Sequence, residues 1–198
     1  EVVDGGQGKV SAYWQQRDRG YSGPGQIALN GEAVKQQGAS ASVKVGEGTT
    51  VDVKADARNA DSQDTSNVEV GVRQQLDSQW EAAVAVRRDD RDTYSPLLIA
   101  SPTLAQTGTR TDIIARLGYK PLKEGGSPDE RDDWDAYGFV QGTAERSGDR
   151  DANNRAGFGG GWRVNERTKL LAEISDGNLG VGGKLGVDYR LSDRSNAY

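Results

Sequence analysis

The stretch GDRDANNRAG contains the acidic residues whose spacing comes nearest to an ion-binding motif. Asp149, Asp151 and Asn153 occupy the first, third and fifth positions of a calcium-binding loop. Asn154 stands where such a loop needs a glycine, and no glutamate follows at the twelfth position. We therefore interpret the stretch as a solvated acidic loop, and the sequence predicts no metal site.

Two further stretches contain residue types that bind phosphate or transfer protons. GFGGGW, residues 157–162, is glycine-rich, but alternating residues continue through it where a phosphate loop would begin a helix. Asp89, Asp90 and Asp92 lie close together in RRDDRD, and a carboxylate pair can act as acid and base. The chain has no histidine and no cysteine, so it lacks the usual general base and thiolate ligands. The sequence predicts neither an enzyme nor a bound cofactor.

The composition of the 198-residue chain leaves two structural classes open. Only 34% of the residues are hydrophobic, 28% are charged, and the mean hydropathy is -0.76. These values fit a disordered chain, or a β structure in which only one face needs apolar residues. The net charge is -5 and the basic residues are scattered, so nucleic acid is not a predicted partner. No apolar run is long enough for a transmembrane helix.

Strict alternation of apolar and polar residues favours the β structure. In the segment 179–191, for example, Leu185 and Val187 share one parity while Lys184 and Asp188 share the other. No long segment shows the i, i+3, i+4 spacing of a helix. The predicted strands are 9–17, 38–45, 50–58, 67–76, 80–88, 110–120, 133–145, 154–164, 168–175 and 179–191.

The polar parity of these strands contains charges of both signs. Its members are Lys44, Asp52, Lys54, Asp56, Arg58, Glu69, Arg73, Glu81, Arg87, Asp112, Arg116, Arg155, Arg163, Lys169, Glu173, Lys184, Asp188 and Arg190. We expect these side chains to face a lumen, and their near balance of charge predicts no strong ion selectivity. The alternative is that they form the solvated face of an ordinary sheet.

Five aromatic residues of the apolar parity lie at one end of the predicted strands. They are Trp80, Tyr119, Trp134, Trp162 and Tyr189. Membrane barrels carry such rings at the headgroup level, where an amphipathic side chain is stable. We interpret the five as an interface girdle, which makes a lipid bilayer the predicted partner.

The connections alternate between short polar turns, such as VGEGTT and RVNERTK, and longer ones at 18–37, 59–66, 89–109 and 146–153. This asymmetry, between strands of about 9–11 residues, is typical of membrane barrels. Lipid cannot bond a free backbone N–H or C=O, so a spanning sheet must close on itself. The sequence predicts an all-β, antiparallel, up-and-down transmembrane β-barrel with about ten visible strands, or part of a larger barrel.

The C-terminal third, AYGFVQGTAERSGDRDANNRAGFGGGWRVNERTKLLAEISDGNLGVGGKLGVDYRLSDRSNAY, resembles the barrel region of large, porin-like proteobacterial outer-membrane proteins. The likeness is one of architecture and turn style, as in RVNERT, and it contains no catalytic motif. It implies a bacterial outer-membrane location and a passive role, as a channel or as an anchor presenting surface loops. We expect residues 1–198 to form one barrel domain, a fragment of a longer chain whose other domains or subunits are candidate partners.

The alternative to a membrane barrel is a soluble extracellular β-rich structural or adhesion module. Such a module would act by protein–protein contact, for which the apolar loop 94–108 and the glycine-rich loop 18–37 are the candidate surfaces. The two classes differ in a simple property: only the barrel should need detergent to remain in solution.

Overall fold

The computed structural model describes residues 2–5, 7–20, 32–95, 106–125, 132–192 and 195–197. In these residues every regular element is a β-strand, and none of them forms an apolar helix that could span a membrane. The strands are β1 (Val2–Gly5), β2 (Gly8–Arg17), β3 (Val34–Gly46), β4 (Thr49–Ala60), β5 (Gln63–Gln75), β6 (Trp80–Thr93), β7 (Gly108–Tyr119), β8 (Trp134–Arg146), β9 (Arg155–Asn165), β10 (Thr168–Gly177), β11 (Gly182–Ser192) and β12 (Ser195–Ala197).

The strands form one sheet in which each is hydrogen-bonded to its neighbours in the chain, in the order β1 to β12. The pairing is antiparallel from β1 through β4 and from β8 through β12, as the up-and-down prediction requires. β2 to β11 contain 10 to 14 residues each and correspond to the ten strands predicted from alternation. β1 and β12 are two short additions at the ends. The prediction of an all-β, antiparallel, up-and-down fold is confirmed.

The connection expected at residues 59–66 is much shorter than predicted. β4 continues to Ala60 and β5 begins at Gln63, so only two residues separate them. The Asp64 carboxylate accepts a hydrogen bond of 3.2 Å from the Ala60 backbone N–H, which stabilises this tight turn. The residues that extend both strands are mostly polar, and a search for apolar alternation therefore ends the strands too early.

The burial pattern is the reverse of that in a water-soluble protein. Val34, at 9% exposure, is the one buried hydrophobic residue among those described, whereas Leu185 is 88% and Val181 is 75% exposed. The opposite parity is less exposed: along residues 66–73 of β5, exposed and half-buried side chains alternate, and the valines are the exposed ones. Most large apolar side chains of β2 to β11 thus lie on the exposed parity, and the described part of the chain has no conventional apolar core.

The chain divides into two compact units, which are described separately below. Unit 1 contains residues 1–72, 85–113 and 143–152, and unit 2 contains residues 73–84, 114–142 and 153–198. Of the two loops considered as contact surfaces, residues 21–31 and 96–105 lie outside the described residues. The side chain of Arg190, a predicted lining residue, also lies outside the described part.

Candidate functional site: the polar face of the sheet

Strand register places the predicted polar side chains in rows on one face of each unit. In unit 1, β3 and β4 pair Ser42 with Asp52 and Ser40 with Lys54. Residues directly opposite each other in antiparallel strands project to the same side of the sheet. In unit 2, the same rule applies to Glu173 of β10, which lies opposite Lys184 of β11, and to the pair of Lys169 and Asp188. We call this surface the polar face.

In unit 1, a tyrosine on the polar face bonds a carboxylate two strands away. Tyr13 of β2 lies opposite Gly38 of β3, which in turn lies opposite Asp56 of β4. The Tyr13 hydroxyl donates to Asp56 Oδ2 and accepts a hydrogen bond of 2.9 Å from Gln36 Nε2. A Cβ atom on Gly38 would come within 2.5 Å of the Tyr13 ring. The glycine therefore gives the tyrosine room to cross the intervening strand.

Unit 2 repeats this arrangement with different residues. Tyr137 of β8, Gly159 of β9 and Glu173 of β10 form one row, and the Tyr137 hydroxyl donates to Glu173 Oε2. The guanidinium carbon of Arg116 lies 3.7 Å from the centre of the Tyr137 ring, which is close enough for a cation–π interaction. A Cβ atom on Gly159 would lie 2.7 Å from the Tyr137 hydroxyl oxygen, so the tyrosine passes over this glycine. Tyr137 of β8 thus contacts side chains of both β7 and β10.

The glycine-rich run of β9 allows such crossings along the polar face. Gly157, Gly159 and Gly161 share that face, and each would place a Cβ within 3 Å of a neighbouring atom. Across Gly161, the Lys169 ammonium of β10 forms an ion pair with the Asp135 carboxylate of β8. β9 runs unbroken through this stretch into a two-residue turn. GFGGGW is therefore part of a strand. Because its glycines have no side chains, long side chains of β8 and β10 can contact each other across it.

Gly159→Ala should lower the free energy of unfolding by about 1–3 kcal/mol, as overpacking usually does. The new Cβ would lie 2.7 Å from the Ala172 carbonyl oxygen and 2.7 Å from the Tyr137 hydroxyl oxygen. Gly118→Ala is the matched control in the same unit, since a Cβ there meets no atom closer than 3.8 Å. Urea unfolding followed by tryptophan fluorescence would compare them. Equal stability of the two variants would contradict the crossing of Tyr137 over Gly159.

An ion pair in unit 1 attaches the connection between β8 and β9 to β6. Arg150 of this connection is only 1% exposed and donates through Nη2 to the carboxylate of Asp89, which is 8% exposed. Arg87 Nη2 lies 3.9 Å from the second oxygen of the same carboxylate. The Arg150 carbonyl accepts a hydrogen bond of 2.8 Å from Arg146. The connection is thus fixed to the polar side of β6 by a buried charge pair.

Further hydrogen bonds attach the same connection to the residues that precede β7 and to β7 itself. Gln106 Nε2 donates to Asp151 Oδ2 over 2.6 Å, and Arg110 reaches the Asp151 carbonyl at 3.3 Å. Arg110 also pairs with Asp112 at 3.0 Å, and Asp112 accepts from Thr143 Oγ1 at 2.7 Å. Asp151, which has calcium-loop spacing in the sequence, is a structural acceptor here. Across the described ranges, no group of three acidic side chains is arranged to hold a metal ion.

Several residues of this network are absent from the predicted lining set. Asp89 was missed because β6 continues past its predicted end at residue 88 and keeps the same parity. Arg110 lies on the polar parity of β7 and could have been included on that basis. Arg150 belongs to a connection, where alternation carries no information. No feature of the sequence shows that its side chain is buried.

Two carboxylates outside the strands of unit 1, Asp61 and Glu32, bind residues of neighbouring connections and strands. The Ala33 backbone N–H and the Arg19 guanidinium both donate to Asp61, and these bonds lower the pKa of its carboxyl. A hydrogen bond from Ser62 and the ion pair with Arg58 lower the pKa of Glu32 and outweigh the opposing effect of burial. Both carboxylates are therefore stable in their charged form next to β3 and β4.

Four of the five predicted girdle residues lie side by side in unit 2. The ring centres of Trp80 and Tyr119 are 4.7 Å apart, and those of Tyr119 and Trp134 are 5.8 Å apart. Trp162 lies directly opposite Trp134 in the register of β8 and β9. Tyr189 of β11 is further along the same end, opposite the first residue of β10. The aromatic residues thus form a belt across β6 to β9, on the apolar face.

Comparison with known proteins gives matches in structure only. No protein-family model matches the chain, and no curated protein matches it in sequence. A KdgM porin superimposes with a TM-score of 0.54 at 10% identity, over 93% of this chain and 92% of that one. A second structure, of a KdgM porin in complex with disordered oligogalacturonate, gives 0.53 at 10% identity and the same coverage.

A third structure extends the likeness beyond this porin. It is a porin refined at 1.8 Å resolution, with a TM-score of 0.50 and 14% identity. The superposition covers 95% of this chain and 59% of that porin. Together with the single antiparallel sheet and the outward apolar parity, these similarities give the chain the up-and-down β-barrel fold of porins.

Proposed function

We propose that the protein is a passive channel for polar solutes in the outer membrane of a Gram-negative bacterium. The observation that carries this proposal is the reversed burial of a porin-like fold. Large apolar side chains such as Leu185 and Val181 are exposed, whereas most charged side chains of the polar parity are half-buried. Such a surface is unstable in water but is stable against hydrocarbon, with the charged side chains lining the bore.

The predicted residues take definite roles in this proposal. The polar-parity residues from Lys44 to Arg190 line the bore, and their cross-strand bonds hold the lining in shape. The aromatic belt from Trp80 to Trp162 lies at one membrane–water interface, where ring edges bond to headgroups and water. The alternative role of a membrane anchor is favoured by one observation, the connection that Arg150 fixes against the polar side of β6. A connection that lies against the polar face would narrow a bore lined by that face, and a narrow bore suits an anchor better than a channel.

The likeness to porins supports a channel in preference to an enzyme. The structural neighbours are described as porins, and one of them was solved in complex with disordered oligogalacturonate. Several side chains of the polar face form cross-strand hydrogen bonds or ion pairs. The sequence contains no histidine or cysteine that could serve as base or nucleophile.

Conductance across a planar lipid bilayer tests the proposal. The protein should need detergent for solubility, keep its β structure there on heating, and give steady ohmic current steps after insertion. Heat-unfolded protein in the same detergent is the control. Insertion without current would favour the anchor. A chain that stays soluble without detergent would support the extracellular module and contradict the membrane assignment.

A further inference from the structure

We propose that one acyl chain of a zwitterionic phospholipid binds in a groove on the apolar face of unit 2. The groove has a volume of about 1220 Å³, and its lining residues belong to β8, β9, β10 and β11. The inference rests on the proposed outer-membrane location and does not depend on whether the bore conducts. It concerns one retained lipid molecule and goes beyond the general contact of an apolar face with hydrocarbon.

Strand register gives the groove a floor of small residues. Gly160 of β9 and Ala172 of β10 lie opposite each other, and Ala136 of β8 continues the same row. The next residue of the row is Leu185 of β11, which is highly exposed and closes the groove at that end. The floor is therefore lower than the rows on either side, which contain larger side chains.

Large apolar side chains form the two walls. Trp162 and Leu170 lie opposite each other on one side of the floor, and Phe158 and Ile174 lie opposite each other on the other side. All four side chains are exposed. The walls are four residues apart along β9, which corresponds to about 13 Å between their Cα atoms. Because apolar atoms touch at about 3.5–4.0 Å, the space that remains between the wall side chains fits one hydrocarbon chain.

The groove extends from the aromatic belt toward the middle of the strands. Trp134 and Trp162 belong to the belt, and their row continues through Leu170 to Val187, which lies at the middle of β11. Strands of a membrane barrel are tilted, so a row that crosses them changes depth from one strand to the next. An acyl chain takes the same course, because it begins at the headgroup level and ends near the middle of the bilayer.

The turn beyond the belt has the two charges that a zwitterionic headgroup needs. Glu166 and Arg167 form the two-residue turn between β9 and β10, and both are exposed. A guanidinium binds phosphate through charge-assisted hydrogen bonds, and a carboxylate attracts an ammonium group. The presence of both signs favours a phospholipid that has a phosphate and an ammonium group over a purely anionic lipid.

A second copy of the chain fits this groove less well than a lipid does. Stacked sheets lie about 10 Å apart and fill the space between them with interdigitated side chains. Phe158 and Leu185 are the most exposed side chains of the groove and would hold another sheet away from its floor. Voids of this kind are rare in protein interiors and in the cores of interfaces. A flexible acyl chain reaches the floor and leaves no such void.

Native mass spectrometry of the folded protein in mild detergent, with added dioleoylphosphatidylethanolamine, tests the proposal. The parent protein should retain one lipid molecule under conditions that remove further ones. Ala172→Leu fills the floor and Phe158→Ala removes part of a wall, so each should lower the lipid occupancy severalfold. Ala156→Leu is the matched control, because Ala156 is also an exposed alanine of the apolar parity but lies outside the groove. Its occupancy should equal that of the parent protein.

The outcomes separate the lipid site from the proposed function. A parent protein that does not insert into lipid vesicles would overturn the membrane location, and the lipid site with it. An inserted protein that retains no lipid, or equal occupancy in the parent, Ala172→Leu and Phe158→Ala, would overturn the site alone. Stronger retention of phosphatidylglycerol would overturn the zwitterionic class. Protein dimers that Ala172→Leu abolishes would overturn the lipid site by assigning the groove to a second copy.

Discussion

Replacing Asp89 by alanine should lower the free energy of unfolding by about 3–5 kcal/mol, the usual result of removing one partner of a buried ion pair. Arg150 is almost completely buried, and Asp89 is the acceptor of its ion pair. Without that carboxylate, a guanidinium that already has two unpaired nitrogens would lose its counter-charge. Arg87 would lose the same acceptor, so positive charges would repel each other at this point.

Asp90→Ala is the matched control for this prediction. Asp90 is adjacent in sequence but exposed on the other side of β6, so its loss should change stability by less than about 0.5 kcal/mol. The double variant Asp89→Ala with Arg150→Met should recover much of the loss, because replacing both partners by apolar groups leaves no buried charge. Urea titration with tryptophan fluorescence gives the free energies of unfolding of the parent protein and of the three variants. A double variant no more stable than Asp89→Ala would show that the pair is not the cause.

The strands could be predicted from the sequence because apolar and polar residues alternate along them. In β11, for instance, Leu185 and Val187 differ so clearly from Lys184 and Asp188 that the parity is unambiguous. Prediction failed where both parities are polar. The first residues of β3 and the residues around the turn between β4 and β5 include few apolar side chains. Backbone hydrogen bonds extend the strands there without any alternation of apolar and polar residues in the sequence.

The candidate site was predictable as a face but not as a set of contacts. Which side chains meet depends on the register of three strands and on the absence of a Cβ between them. Tyr137 and Glu173 are joined only because Gly159 is the residue that lies between them. Arg150 depends on the path of a connection, which no strand pattern determines.

Alternation also gives no information on depth within the polar face. Lys54 and Asp56 are two residues apart on one strand, yet Lys54 is exposed and Asp56 is half-buried and bonded to the Tyr13 hydroxyl. The sequence pattern assigns both side chains to the same face and does not distinguish their environments.

A positive charge on the apolar face should prevent or weaken membrane insertion. Val187 lies at the middle of β11 and is 53% exposed, so in a bilayer its side chain would contact the hydrocarbon midplane. Val187→Arg should therefore destabilise the inserted protein by about 2–4 kcal/mol. Folding into lipid vesicles would be measured by the electrophoretic shift of unheated samples and by urea titration.

Two controls separate the effect of a charge on the apolar face from the effect of any substitution in this part of β11. Val187→Leu keeps the side chain apolar at the same site and should fold like the parent protein. Asp188→Asn changes the charge one residue further along, on the polar face, and should be tolerated because that side contacts water and other polar groups. Similar losses for Val187→Arg and Asp188→Asn would mean that lipid does not distinguish the two faces. The membrane location and the bore both require that distinction, because each depends on the same alternation of side chains.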